Sequence, residues 1–405
     1  MKNKELRVEK GAKILFISNL FPPYQIGGYE IACKSVFNLL QGSGYDCRVI
    51  TSDFFIGNVQ SGEGVDENVL RVLKLHHSWG GDYVPFSFDS TQKYNYIEIK
   101  KEISKFKPDL VYVWNAYGLG WKFLNILNEG ARVPFVFHFM DYSIYAYKFT
   151  FKKYIAYILQ RTTEQSFRLK GLIKNSIYIS KFLQKKIGID SDNIEVIYPF
   201  LETDLIPRKS NYHLKKKIRG VYVGQLEAHK GILFLCSTLI EFMKETGFDI
   251  ELDIFGLNDG IIAQELILQY GNFIKLKTGI PREEILAGLK NYDVGFFPSL
   301  WDEPFGISQI EMMASGLPVI SSGRGGSREV DNGGNIILYD GFNAAQLKDR
   351  LGNLLNDYPI VGMRIGISAS KYVLKYHSKS AFLKALEGYF DRVISISKNQ
   401  SMSNI

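Results

Sequence analysis

The chain has 405 residues and a formal net charge of +7, and 46% of its residues are hydrophobic and 14% aromatic. This length predicts two domains, and this composition supplies a core for each of them. The sequence lacks the ~18 consecutive apolar residues of a membrane-spanning helix, and its polar residues 1–10 do not match a signal peptide, so we expect a cytoplasmic protein.

The N-terminal elements begin with an apolar run at 12–17, which predicts a buried parallel strand. A Phe-Pro-Pro loop follows, and Gly27 and Gly28 then open a helix that continues to Leu40. Glycines at the start of a helix allow the backbone to approach a phosphate, and the helix N-terminus favours negative charge. Gly27 and Gly28 are therefore candidate phosphate contacts, and a plain loop is the alternative.

Strands and helices keep alternating after this point. Strands are predicted at 46–50, 69–74 and 110–115, and a helix is predicted at 96–106, while the segments 56–66 and 76–94 look like excursions from the sheet. Such alternation indicates a doubly wound α/β sheet.

A strand at 134–139 leads to Asp141. His138 shares a strand face with residue 140 but lies about 7 Å deeper. His138 is either a functional group or a hydrogen-bonded core histidine.

Basic residues concentrate at 148–186, where ten lysines and arginines and one acid, Glu164, give ten minus one, or +9. Aromatic side chains interleave with them. This pattern fits contact with an anionic membrane or a lipid-linked acceptor, and it equally fits a solvated helical face. No nucleic-acid motif accompanies the charge, so we do not expect a nucleic-acid partner.

The sequence predicts no metal site. Cys33, Cys47 and Cys236 have no metal-ligand spacing, which predicts free packed thiols. Asp190 and Asp192 form a D-x-D pair, but no apolar strand precedes them, so we interpret the pair as a surface turn.

A polar linker at 208–219 precedes a second domain that begins at Gly220. Residues 224–231 repeat the scheme of strand, turn and helix start. Lys230 at this position can neutralise a diphosphate and stabilise a leaving group. The alternative is an exposed helix lysine.

The stretch from Pro298 to Glu311 joins two carboxylates to a helix start. A buried strand at 294–297 ends at Pro298, Glu303 lies in the following loop, and Glu311 lies about one turn into a helix that begins at Ile307. The carboxyl end of a parallel sheet is where open α/β folds bind ligands. Two carboxylates on either side of a diphosphate can accept from hydroxyls of a nucleotide sugar, although a helix-dipole role for Glu303 and a solvated Glu311 are the alternative.

The surrounding sequence resembles a known family. The run EPFGISQIEMMASGLPVISSGRGGSREV resembles the E-x7-E signature and the following glycine loop of retaining GT-B glycosyltransferases of family four (group 1). The Phe-Pro-Pro loop and the GG-x-E helix near the N-terminus of this chain also resemble the start of that family. The resemblance implies two doubly wound Rossmann-like α/β domains facing across a cleft. It implies an acceptor domain at 1–207, a basic linker at 208–219, a nucleotide-sugar domain at 220–375, and a C-terminal helix crossing back to the first domain, with a tail, at 376–405.

The resemblance also implies a function and a set of site residues. A sugar would move, with retention, from a nucleotide-diphospho-sugar to a glycan, lipid-linked or small-molecule acceptor, without metal or other cofactor. The implied catalytic residues are Glu303, Lys230, Asp141 and His138. The implied donor-binding residues are Gly27, Gly28, Gln225, Lys230, Gly279, Ile280, Pro298, Phe305, Gly306, Ile307 and Glu311.

Two positions depart from the family pattern. Met140 stands where the family usually has a histidine, and Gln225 stands where it usually has an arginine. These departures motivate an alternative hypothesis, a non-catalytic nucleotide-sugar-binding subunit that supports a partner glycosyltransferase. Peripheral membrane contact through 148–186 would place either protein on the inner face of the membrane.

Overall fold

The computed structural model describes residues 11–54, 66–77, 84, 87–128, 133–142, 172–189, 191–256 and 260–403. Most of the basic segment at 148–186, and Asp190 of the D-x-D pair, lie outside the described residues. The chain divides into two compact units. The N-terminal unit comprises Met1–Ile179, Leu183–Ile197 and Leu383–Ile405, and the C-terminal unit comprises Ser180–Phe182 and Tyr198–Phe382.

Seven parallel strands form the sheet of the N-terminal unit within the described ranges. They are β1 (Lys13–Ser18), β2 (Asp46–Ser52), β3 (Val69–Leu73), β4 (Leu110–Asn115), β5 (Phe135–Phe139), β6 (Asn175–Tyr178) and β7 (Asn193–Val196). Their order is β3-β2-β1-β4-β5-β6-β7, so the winding direction reverses between β1 and β4. Ligands bind at such a switch point, beyond the carboxyl ends of the strands.

Helices connect these strands. They are α1 (Gly28–Gly42), α2 (Phe88–Phe106), α3 (Asn125–Asn128) and α4 (Lys181–Ile187). The α1 helix buries Cys33, Val36, Phe37 and Leu40, a spacing of three and four residues that defines its apolar face. The α2 helix begins eight residues before the predicted start at residue 96, because Ser87 caps it by accepting from the Ser90 N–H at 3.3 Å. The interpretation of residues up to 94 as an excursion was therefore wrong for the part from Phe88.

The C-terminal unit contains a second parallel sheet, with six strands in the described chain. They are β8 (Lys217–Val223), β9 (Asp249–Phe255), β10 (Ile274–Lys277), β11 (Val294–Phe297), β12 (Val319–Ser321) and β13 (Ile337–Leu338), in the order β10-β9-β8-β11-β12-β13. The first of them begins at Lys217, inside the segment predicted as linker, because Ile218 is buried and pairs with β9. Every residue of β11 is buried, as expected for a central parallel strand.

The remaining helices belong to the second half of the chain. They are α5 (Ile232–Thr246), α6 (Ile261–Tyr270), α7 (Arg282–Gly288), α8 (Ile307–Ala314), α9 (Ala344–Asn356), α10 (Met363–Tyr376) and α11 (Lys379–Ser403). The predicted bend near 377–378 separates α10 from α11, and the buried His377 ring lies 2.8 Å from the Pro199 carbonyl oxygen there. From Leu383 onward, α11 belongs to the N-terminal unit, where the Tyr389 hydroxyl donates to the Asn193 carbonyl at 2.9 Å.

The three cysteines match the expectation of packed free thiols. Cys33, Cys47 and Cys236 are free and buried. Among the helices that the structure describes, none combines the length and the apolar character needed to cross a bilayer.

Candidate active site

Glu303 and Lys230 meet at the carboxyl end of β11. The Lys230 ammonium donates to the two Glu303 carboxylate oxygens at 2.9 and 3.2 Å, and the Glu303 residue is only 6% exposed. Lys230 also lies over the Trp301 ring, 5.3 Å from its centroid, an orientation that favours a cation. The structure thus brings together two of the residues assigned from the sequence to catalysis.

A glycine turn places Lys230 against the Glu303 loop. Gly231 has φ +74°, and a Cβ there would lie 2.0 Å from the Pro298 carbonyl oxygen. Leu300 N–H donates to the His229 carbonyl at 2.9 Å. Only glycine allows this approach, so the turn that ends with Lys230 is fixed directly beside the start of the loop.

A second glycine turn holds the main chain of Glu303. Gly325 and Gly326 lie against it, and Gly326 N–H donates to the Glu303 carbonyl at 2.7 Å. A Cβ on Gly325 would lie 2.5 Å from that same carbonyl oxygen, while Glu303 N–H donates to the Arg324 carbonyl at 3.3 Å. The sequence showed a glycine-rich turn here, but the structure shows its task, which is to fix Glu303.

Glu311 is buried and has a cationic partner that the sequence analysis missed. Its carboxylate forms an ion pair with the Arg282 guanidinium. Burial raises the pKa of Glu311, and the Arg282 charge opposes that rise. Arg282 lies 29 residues away in the chain, and its only signal in the sequence is its position directly after the loop that contains Gly279 and Ile280.

The start of α8 offers unpaired backbone donors. Gly306 precedes the helix in a left-handed conformation, φ +104°. Because glycine has no side chain, the residue at this position provides no side-chain cap for the first N–H groups of α8. The first N–H groups of a helix lack intrahelical acceptors and attract anions. The Phe305 side chain is buried against Tyr198 and His377, so Phe305 and Ile307 can contribute to this site chiefly through their backbone.

The other residues assigned to the donor within this unit lie directly after three strands of its sheet, β8, β10 and β11. Pro298 is buried at the end of β11, whereas Gly279 and Ile280 are exposed in the loop before α7. Gln225 is exposed in the turn after β8, and its carbonyl accepts from the Tyr222 hydroxyl at 2.8 Å. The main chain of this turn is therefore fixed while the Gln225 side chain faces solvent.

In the N-terminal unit, Gly27 and Gly28 differ in availability. The buried Glu30 carboxylate accepts from the Gly27 N–H at 2.9 Å, which completes a cap on α1. The Gly27 amide is thus used within the loop. The Gly28 amide is at the first position of α1, where a helix provides no acceptor, so it is the better candidate for an anion.

His138 and Asp141 occupy different environments. The His138 ring is 2% exposed, lies 2.6 Å from the Tyr112 hydroxyl through Nδ1 and packs 4.4 Å from the Trp114 ring. Burial lowers the pKa of His138 to about 3, so the ring is neutral. This fits the core-histidine interpretation, and its catalytic role stays a prediction. Asp141 follows β5 at the carboxyl edge and is partly exposed, beside the buried Met140.

The architecture places the protein in a structural class. A glycosyltransferase-type GT-B fold consists of two Rossmann-like α/β units, as found here. The chain is similar in structure to sucrose-phosphate synthase from Thermosynechococcus elongatus, with a TM-score of 0.70 and 18% identity over 95% of this chain and 100% of that one. It is also similar to Anabaena HepE in complex with UDP, with a TM-score of 0.65 and 17% identity over 97% and 100% of the two chains. The fold is GT-B.

Sequence comparisons identify the family. Residues 205–370 match the model for glycosyl transferases group 1, and residues 26–205 match the model for glycosyltransferase family 4. An uncharacterized glycosyltransferase of Methanocaldococcus jannaschii is 25% identical over 78% of this chain and 82% of its own length. The chain belongs to the group 1, family 4 glycosyltransferases, and the enzyme class and family expected from the E-x7-E run are confirmed.

Proposed function

We propose that this glycosyltransferase moves a sugar, with retention of configuration, from a nucleotide-diphospho-sugar to a hydroxyl of a glycan, lipid-linked or small-molecule acceptor. The observation that carries the proposal is the pair of buried carboxylates, Glu303 and Glu311, on either side of the α8 start, each with its own cation. The likeness to a fold that binds UDP in HepE adds support.

The donor would lie along the start of α8. The N–H groups there would donate hydrogen bonds to the diphosphate. Glu311, about 6 Å further along the helix axis, would accept from the ribose hydroxyls, and the loop with Gly279 and Ile280 would contact the base. Glu303, on the other side, would accept from the hydroxyls of the transferred sugar.

Lys230 has two tasks in this proposal. An ammonium group has three donors, so Lys230 can keep one hydrogen bond to Glu303 and donate another to the diphosphate. The acceptor oxygen forms a bond to the anomeric carbon as the bond from that carbon to the diphosphate oxygen breaks, and the acceptor proton passes to the departing phosphate. Lys230 would stabilise the charge that develops on this leaving group.

A two-stage experiment tests the proposal. A thermal-shift screen across nucleotide sugars comes first, because a true donor stabilises the fold by mass action. Donor turnover is then compared for wild type, Glu303→Gln and Glu311→Ala. We expect Glu303→Gln to bind nucleoside diphosphate but lose transfer, and Glu311→Ala to bind donor more weakly.

The exposed Glu283 of α7 provides a matched control, since Glu283→Ala removes a carboxylate outside the site and should leave both properties unchanged. Normal transfer by both site variants would contradict the proposal. Nucleotide binding without any turnover by wild type would instead favour a non-catalytic binding subunit.

We also propose that the reaction needs no metal, because the backbone amides at the start of α8 and one shared Lys230 donor would contact the diphosphate where a metal cation would otherwise be required. Transfer should persist in excess chelator. Loss of activity that magnesium or manganese restores would overturn this part. The cytoplasmic location stays a proposal. The peripheral contact of 148–186 with anionic membrane is also a proposal, and cosedimentation with anionic and with neutral vesicles tests that contact.

A further inference from the structure

A three-residue segment of the chain joins the C-terminal unit on its own. Ser180–Phe182 belongs to that unit, although the residues on either side, Ile179 and Leu183, belong to the N-terminal unit. The segment begins directly after the strand region of β6 and contains the first two residues of α4. The segment forms hydrogen bonds with Pro304, in the loop that carries Glu303, and with Glu329.

The first contact is to the residue after Glu303. The Ser180 hydroxyl donates to the Pro304 carbonyl at 2.5 Å, and Ser180 is fully buried. Gly326 lies against both groups, since a Cβ there would lie 2.1 Å from the Pro304 carbonyl oxygen and 2.8 Å from the Ser180 hydroxyl oxygen. Pro304 is thus held on one side by the glycine turn and on the other by Ser180.

The second contact joins the Glu329 carboxylate to the backbone of the segment. Glu329 accepts from the Lys181 N–H at 2.9 Å and from the Phe182 N–H at 2.6 Å. These are the first amides of α4, and they have no acceptor within the helix. Glu329 lies within the same short turn, Gly326–Val330, so it connects the segment to the turn that already holds Glu303.

The third contact is made by Tyr198, which touches both Glu329 and Phe305. The Tyr198 hydroxyl donates to Glu329 at 3.0 Å, and the Tyr198 ring packs 5.6 Å from the ring of Phe305. Phe305 is 1% exposed. The two residues that follow Glu303 are therefore fixed through a hydrogen bond on the main chain and a ring contact on the side chain, and both contacts lead back to Glu329 or to Ser180.

We propose that Ser180 and Glu329 are positioning residues for the reaction, which hold the Glu303 carboxylate in place by fixing the main chain of Pro304 and the side chain of Phe305. The inference rests on the proposed function, since Glu303 is the group that would orient the transferred sugar. Without these contacts, the Pro304 carbonyl and the Tyr198 hydroxyl would each lose a hydrogen-bond partner beside the Glu303 loop. Small displacements of a positioned group reduce turnover far more than they reduce binding.

The test uses Ser180→Ala and Glu329→Ala, with Ser176→Ala as the matched control. Ser176 is also fully buried, in β6, and its hydroxyl has no hydrogen-bond partner among the described residues. The first measurement is hydrogen exchange of the backbone amides at 301–307. We expect exchange about tenfold faster in both site variants, as loss of one buried hydrogen bond allows, and wild-type exchange in the control.

The second measurement compares turnover with nucleotide binding. We expect kcat to fall on the order of ten- to a hundredfold in both site variants, with the Kd for nucleoside diphosphate within about twofold of wild type. A purely structural role would lower the unfolding temperature and leave kcat of the folded fraction unchanged. Tyr198→Phe removes only the hydroxyl that donates to Glu329 and should reproduce a smaller part of the kcat loss.

The outcomes separate the two proposals. Unchanged amide exchange at 301–307 in Ser180→Ala and Glu329→Ala would overturn the positioning role, whatever the activity. Equal losses of kcat and of nucleotide affinity would also overturn it, because the effect would then be on binding. Faster exchange in the site variants, with a wild type that transfers no sugar, would leave the positioning role standing and reject the proposed function.

Discussion

Replacement of Arg282 by alanine tests the role of the ion pair between Arg282 and Glu311 in the proposed donor site. Glu311 is 5% exposed and pairs with Arg282 at the start of α7. Burial raises the pKa of Glu311 above its ordinary value of 4.5, and the guanidinium is the charged group that opposes this rise. Without Arg282 the pKa of Glu311 rises further, so protonation of the carboxyl, which removes hydrogen-bond acceptors, extends to higher pH than in the wild type.

The magnitude follows from the exposure of the two side chains. Removal of one partner from a fully buried pair costs about 3–5 kcal/mol, whereas an exposed pair contributes only ~0–1 kcal/mol. The side chain of Glu311 is 7% exposed and that of Arg282 is 48% exposed. An intermediate loss of about 1–2 kcal/mol is therefore expected, which is a roughly 5- to 30-fold weaker binding of nucleoside diphosphate at neutral pH.

The assay is calorimetric titration of nucleoside diphosphate from about pH 6 to about pH 9. The ratio of the variant Kd to the wild-type Kd cancels titration of the nucleotide itself. We expect this ratio to fall as the pH rises, because deprotonation restores Glu311 as an acceptor. Arg282→Lys keeps the charge and should recover most of the affinity, and Lys290→Ala, which removes an exposed cation after α7, is the control.

Two results would refute this reasoning. A Kd ratio that is large but constant with pH would show that Arg282 contributes a contact and does not act through the ionisation of Glu311. A ratio near one at every pH would show that the pair is irrelevant to binding. Stability gives an independent check: ionising a carboxyl with a raised folded-state pKa costs stability as the pH rises above 4.5, so Arg282→Ala should lose more stability at neutral than at mildly acidic pH.

Three further predictions concern Gly326 and Lys230 in the C-terminal unit and His138 in the N-terminal unit. Gly326→Ala would place a methyl group 2.1 Å from the Pro304 carbonyl oxygen, so kcat should fall, whereas Gly288→Ala, where a Cβ meets nothing within 4 Å, should be neutral in the same assay. Lys230→Gln should lower transfer by roughly a hundredfold or more with a smaller change in nucleotide Kd, and equal losses in both would contradict a role at the leaving group. His138 has its pKa lowered from 6.5 to about 3 by burial, so thermal denaturation should show stability falling as the pH drops below 6.5, by about 2 kcal/mol at pH 5, and His138→Gln should flatten that slope.

Local pattern in the sequence was sufficient for the elements of the site. The apolar strand before Pro298, the start of α8 at Ile307 and the spacing of Glu303 and Glu311 are all contained within one short stretch, and each has a signal in residue type or period. The same holds for the glycine that ends the Lys230 turn. These features depend on neighbours in the chain, which is why the sequence could predict them.

The partners of these residues left no such signal. Arg282 meets Glu311 across 29 residues, and Ser180 meets Pro304 across 124. Contacts of this kind depend on how strands are ordered in a sheet and where their loops converge, and no local period records that. The prediction for His138 was incomplete for the same reason. Strand alternation predicts which face of the strand His138 occupies, but its burial against Trp114 depends on tertiary packing.

The ion pairs of the site indicate how the charge of a diphosphate would be met. A buried carboxylate is costly unless a cation accompanies it, so Lys230 and Arg282 are already committed to Glu303 and Glu311 before any donor binds. The four groups sum to zero, two negative and two positive. A diphosphate therefore meets a neutral site, and its own charge would have to be balanced mainly by the backbone amides at the start of α8 and by the one Lys230 donor that can be shared. Under the proposed function, the glycine turn and Ser180 would hold the main chain that leads to these amides, because the positions of the amides determine how well they stabilise charge.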